Sequence, residues 1–237
     1  LRVEGIDKLS FLSSPFLIVP IAVYWVLKNG EAITDNERRK ILRWFYLAHM
    51  RGHYSMGSSE SILDADLGIL FKTKNLDELT QQLFLHVKKF TVDYDDINNR
   101  GIRSPFFSML YFVFKKNGVK DWWSGLPLSS DHTGKSHTIQ YHHIFPKSLL
   151  KDYEKKEVNE IANMAFIGGK TNRQITNKEP IQYLEKEVIA KRGEEALTSQ
   201  LITLDRTLWE LSNYREFISF RRKAIAEAIN DFMKKFE

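Results

Sequence analysis

The stretch HHIFPKSLLKDYEKKEVNEIANMAFIGGKTNRQITN, residues 142–177, decides the reading of this chain. A short β-prone segment, Thr138 to Tyr141, leads into His142-His143-Ile144-Phe145-Pro146. A second apolar segment, Met164 to Ile167, ends at Gly168-Gly169, and a short helix is expected from Lys170. Asn163 lies twenty residues beyond His143, and Asn172 nine beyond Asn163. In the order strand, loop, strand, helix, the side chains of His142, His143, Asn163 and Asn172 can reach one point. Such a convergence suits hydrolysis of a phosphodiester. That group is an anion and repels nucleophiles, and a divalent metal neutralises charge on the phosphate and on the leaving oxygen. Magnesium takes oxygen ligands and keeps several waters, so a sparse protein shell serves it. A histidine with a pKa near ~6.5 can take a proton from water at neutral pH, provided a partner at its other nitrogen holds the tautomer.

On either side of this stretch the chain reads as helical. Thr34-Asp35-Asn36-Glu37 fits a capping box, with Ile41, Phe45 and Ala48 at helical spacing behind it and Gly52 as the stop. Asn75 opens another helix with Leu76, Leu79, Leu83 and Val87 on one face. Ser104-Pro105 is a cap and a first-turn proline, and the nearly all-apolar Phe106 to Phe114 behind it should be central to a core that Trp122-Trp123 closes. Residues 124–138 read as a loop. Phe217, Arg221, Ile225, Ala228, Ile229 and Phe232 outline an amphipathic C-terminal helix. The expectation is a mainly α protein: a helical domain at 1–123, then a region at 124–237 with an embedded strand–strand–helix (ββα) element at about 137–178 and C-terminal helices.

The chain has 237 residues, 43% of them hydrophobic and 13% aromatic, which is ample for a packed core. Without cysteine there is no disulfide and no thiolate metal site. The apolar run from Phe16 to Leu27 is interrupted by Pro20 and is too short for a membrane span of roughly 20 residues, so a buried helix is expected there. No signal peptide is evident, and a cytoplasmic protein without membrane contact is expected. A chain beginning with Leu1 is expected to be a piece of a longer protein or a trimmed form of one. The net charge is +5, and the segment from Lys135 to Lys178 holds eight Lys and Arg against four acids, so the basic surplus surrounds the candidate site, where phosphate contacts are wanted. Gly168-Gly169-Lys170-Thr171 is no Walker loop, because Met164 stands where the first glycine belongs. Loop histidines His132 and His137 read as solvated, and His49, His53 and His86 as structural.

His142-His143-Ile144-Phe145-Pro146, with Asn163 and Lys170-Thr171-Asn172-Arg173, resembles the HNH (ββα-metal) nuclease motif. The Asn163–Asn172 spacing is similar to that of the HNH domain of RNA-guided DNA nucleases. The wider run from His142 to Tyr183 resembles more closely the C-terminal nuclease half of GmrSD-type, modification-dependent restriction proteins, and so do Trp44-Phe45, Arg51-Gly52-His53-Tyr54-Ser55 and Asp121-Trp122. The resemblance implies a metal-dependent endonuclease that cuts DNA, foreign or modified. His143 would be the general base, and Asn163 the middle asparagine that props the loop or orients the base. His142 and Asn172 would be metal ligands. Arg173 would touch the scissile phosphate, with Lys147 and Lys170 as further DNA contacts. The ion would be Mg2+, with Mn2+ or a softer metal as the alternative, because no first-shell carboxylate is evident. An N-terminal nucleotide-binding regulatory domain, absent from these residues, would be the partner. The rival readings are a catalytically silent nucleic-acid-binding module with an HNH fold, and a nuclease directed at RNA or acting as a toxin.

Overall fold

Thr34 starts its helix as its side chain suggests: its hydroxyl accepts the Glu37 backbone N–H, and the Glu37 carboxylate accepts the Thr34 N–H. This helix, α2 (Asp35–Met50), ends where Gly52 takes a φ of 63°, a left-handed conformation that favours glycine. The computed structural model that contains it describes residues 4, 6, 9–85, 87, 89–128, 139–169, 171, 175 and 177–237. Compactness groups Lys8–Val92 with Ile229–Glu237, and Leu1–Asp7 with Asp93–Ala228.

In the first group α2 packs on α4 (Leu76–Phe84), which begins at the Asn75 cap, and α3 (Ser59–Thr73) packs on α4 and on α1 (Ile18–Leu27). The last turns of α2, with Trp44, Phe45, Tyr46 and Leu47, are buried on every side. The apolar run in α1 is not a buried helix: Pro20 and Tyr24 are covered, while Trp25 and Val26 are 63% and 64% exposed. A run with no polar residue carries no hydrophobic period, so it does not say which face meets a neighbour. The helical histidines are structural here. His53 Nε2 lies 2.9 Å from the buried Asp66 carboxylate, which also accepts the Tyr54 hydroxyl at 2.6 Å, and His49 Nδ1 accepts the Ser13 N–H at 3.0 Å. His86, His132 and His137 lie outside the described residues.

In the second group α5 (Pro105–Lys116) starts at the Ser104 cap, and its residues Phe106 to Phe114 are all buried. Against it lies an antiparallel pair of strands, β1 (Ile139–His143) and β2 (Met164–Gly168), in the register His143 to Met164 and Tyr141 to Phe166. Phe107 stacks on Phe166 with ring centres 4.8 Å apart and meets Tyr141 edge-on at 5.5 Å. The outer edge of β2 is closed by side chains. Gln200 makes both bonds to the Phe166 backbone, at 2.8 and 2.9 Å. Arg221, from the C-terminal helix Tyr214–Lys234, donates to the carbonyls of Ala162 and Met164 at 2.8 Å each. Asp121 accepts the Gly168 N–H at 2.6 Å. A bare strand edge would leave these groups without partners. After β2, Gly169, Thr171 and Ile175 are helical. The chain is thus mainly α, with a small two-stranded sheet.

Candidate functional site

Strand alternation sends neighbouring side chains to opposite faces. His142 goes to the inner face, is 5% exposed, and lies edge-on to Trp122 and Tyr183 with ring centres 6.5 and 5.8 Å away. His143 goes to the other face, together with Tyr141, and lines an open cleft of about 450 Å³. Arg103, Lys147, Lys155 and Asn159 line the same cleft, and among the described residues no carboxylate does. The nearby acids are engaged elsewhere: Glu154 with Lys156, Glu157 with Arg215, and Glu160 with Arg222. Arg103, Lys147 and Lys155 have no acidic partner among the described residues, so the cleft is positive.

His143 Nε2 sits 3.2 Å from Asn159 Oδ1. Burial is the main influence on its ring, and the Lys147 charge adds to it; together they pull the pKa down to about 4, against the opposing effect of the Asn159 bond. The imidazole is therefore neutral at neutral pH, the form that accepts a proton.

Asn163 is fully buried. Its amide accepts the Phe145 N–H at 2.9 Å and donates to the carbonyls of Phe145 and Val158 at 3.1 Å each. Its backbone carbonyl accepts the Ile144 N–H at 2.8 Å. These are the bonds of a prop. They pin the turn after β1 to the end of α6 (Lys155–Val158).

The structure thus brings His143 and Lys147 together, places Asn163 beneath them, and puts His142 on the other face of β1. Asn172, Arg173 and Lys170 lie outside the described residues. Among the described residues no three His, Cys, Asp or Glu come together in a way that could hold a metal ion. Asp121 is committed to structure: burial raises its pKa, but hydrogen bonds from Gly168, Ser124 and Thr171 outweigh this and hold the carboxyl below its usual range.

Sequence reasoning did not find Asn159, Arg103, Lys155 or Tyr141 as site residues. For Tyr141 a signal was present, since it stands two residues before His143 on a strand. For Arg103 none was, because it reaches the cleft from a segment 40 residues away in the chain.

A family model described as GmrSD restriction endonucleases, C-terminal domain, matches residues 106–228, just over half of the chain and most of this site. No curated protein and no solved structure matches. No helix among the described residues is long and apolar enough to cross a membrane.

Proposed function

Because the chain belongs to the family of GmrSD restriction endonucleases, through their C-terminal domain, we propose that it is a metal-dependent endonuclease of the HNH type that hydrolyses DNA phosphodiesters. The observation that carries this reading is His143, a neutral imidazole lining an open cleft among three cations that have no acidic partner among the described residues. The sheet of β1 and β2, with the helical residues after it, is read as the ββα element. The region from residue 124 onward is read as the nuclease part, and residues 1–123 as a helical domain before it.

The chemistry follows from the residues. Arg103, Lys147 and Lys155 attract the polyanionic backbone and offset its charge. His143 takes a proton from water as the water oxygen attacks phosphorus. The bond from phosphorus to the leaving sugar oxygen breaks, and solvent protonates that oxygen. Asn163 holds the turn that carries His143. Lys170 and Arg173 are proposed as further phosphate contacts. His142 and Asn172 are proposed to hold a divalent cation, magnesium or manganese, which when bound would neutralise charge on the phosphate. DNA restriction in the cytoplasm, under control of a nucleotide-binding domain outside these residues, completes the proposal.

The test is cleavage of plasmid DNA by the wild-type chain with magnesium or manganese, with and without chelator. The expected result is metal-dependent cutting that His143→Ala, still folded, abolishes. Equal cutting by folded His143→Ala would overturn the mechanism. No cutting with any divalent metal, alongside retained DNA binding, would favour a silent binding module.

A further inference from the structure

The ring of His143 can work as a base only if one known nitrogen is bare, and the structure shows what decides which one. The side-chain amide of Asn159 has a donating end and an accepting end. Its Nδ2 donates to the Lys155 carbonyl at 2.7 Å. A carbonyl oxygen cannot donate, so the end facing Lys155 must be the NH2 group. The other end, Oδ1, faces His143 Nε2 at 3.2 Å and can only accept. Nε2 therefore carries the hydrogen. A neutral imidazole has one N–H, so Nδ1 is bare.

Asn159 is itself firmly held. Its backbone N–H caps α6 on the Lys155 carbonyl. The next residue, Glu160, is fully buried in a two-pronged pair with Arg222, at 2.6 Å for each bond. On the other side the backbone of Gly101 pairs with Glu160, and a Cβ at Gly101 would stand 3.5 Å from the Asn159 carbonyl. Asn163 cannot take this role, since both ends of its amide are bonded to the backbone of Phe145 and Val158.

We propose that Asn159 is the positioning residue of His143, holding the ring as the Nε2–H tautomer so that Nδ1 takes the proton from water. This rests on the nuclease reading above. It separates two duties: Asn163 props the turn, and Asn159 sets the ring.

The experiment uses the whole chain with 15N-labelled histidine. Long-range 1H–15N spectra report the tautomer of His143, whose signal is assigned by its loss in His143→Ala. Plasmid cleavage is measured in parallel. The wild type is expected to show the Nε2–H form. Asn159→Ala is expected to mix the tautomers and lower kcat by about tenfold to a hundredfold, with KM unchanged. Asn159→Asp, which keeps an accepting oxygen, is expected to restore the Nε2–H form and most of the rate. If Asn159→Ala does not fold, Asn159→Ser withdraws the acceptor from reach of the ring while keeping a polar cap. Folded Asn159→Ala or Asn159→Ser with the wild-type spectrum, or with the wild-type rate, overturns the proposal. If the wild type itself cuts nothing, the nuclease reading fails and the spectra still decide: a ring unchanged on loss of Asn159 sinks the positioning role, and a changed one keeps it.

Discussion

His142 and His143 are bonded neighbours that stand on opposite faces of β1, one against Trp122 and Tyr183, the other in the open cleft. The period of two in a strand causes this, and it makes the pair unequal under mutation. His142→Ala removes a buried ring and leaves a void between two aromatics, so it should destabilise the protein by about 2 kcal/mol or more. His143→Ala removes a partly exposed ring and should cost less than half of that, while abolishing cleavage. Urea denaturation midpoints of the two variants check this. Equal midpoints would contradict the separation of the two faces.

Asn163 makes three hydrogen bonds from a fully buried amide. Asn163→Ala leaves the Phe145 N–H and two carbonyls without partners. The expected loss is about 1–3 kcal/mol of stability. Activity should return when assay temperature is lowered enough to restore folding, because the residue acts through the turn. A variant of wild-type stability that is dead at every temperature would instead make Asn163 part of the chemistry.

Arg221 is fully buried, with carbonyls of Ala162, Met164, Gln200 and Leu201 around its guanidinium and, among the described residues, no carboxylate bonded to it. Burial lowers its pKa to about 9. Arg221→Met keeps the bulk but leaves four buried acceptors unmet, an expected loss of about 3 kcal/mol. Arg221→Lys should recover only part of this, since an ammonium cannot reach four separated oxygens with a fork. Thermal melts of both variants provide the check, and Arg221→Met melting like the wild type would contradict the clamp on β2.

What could be read from the sequence, and what could not, follows from the range of each interaction. The caps at Thr34, Asn75 and Ser104 are local, and each forms as its side chain suggests. The two strands were legible because β-prone residues flank the histidines and Gly168. Their edge partners were not. Gln200, Arg221 and Asp121 meet β2 from 34 to 57 residues away, and nothing in their own surroundings points to it. Asn159 was overlooked for a different reason. The spacing typical of the family picks out Asn163 and Asn172, while the bond from His143 to Asn159 depends on how the end of α6 turns.

The positive cleft makes a prediction about salt. Arg103→Ala, Lys147→Ala and Lys155→Ala should each weaken DNA binding about equally for all sequences, since a cation paired with a phosphate carries no base information. Each of the three substitutions should reduce the slope of log affinity against log salt by about 0.9 for duplex DNA, the value for one neutralised phosphate. Fluorescence anisotropy with a labelled duplex across a salt series measures this. Unchanged slopes in all three variants would mean that the backbone does not lie in this cleft.

Glu37 gives the clearest pH dependence of stability. Its carboxylate accepts the Tyr24 hydroxyl at 2.6 Å, the Thr34 N–H at 2.8 Å and the Lys28 ammonium at 3.0 Å. These bonds, that of Tyr24 foremost, pull its pKa down to about 2, below the ordinary 4.5. A carboxyl with a depressed folded pKa contributes stability above the unfolded value and loses it as the pH falls through the folded one. The contribution should be whole at pH 7, decline below about 4.5, and be gone near 2. Glu37→Gln keeps an acceptor for the Thr34 N–H but removes the charge that holds the Lys28 ammonium and the Tyr24 hydroxyl, and should cost about 1 kcal/mol at pH 7. Melting curves of wild type and Glu37→Gln at pH 7 and pH 3 test the sign. The gap between them should narrow on acidification, and a gap that widens would show that Glu37 does not hold α1 to the start of α2.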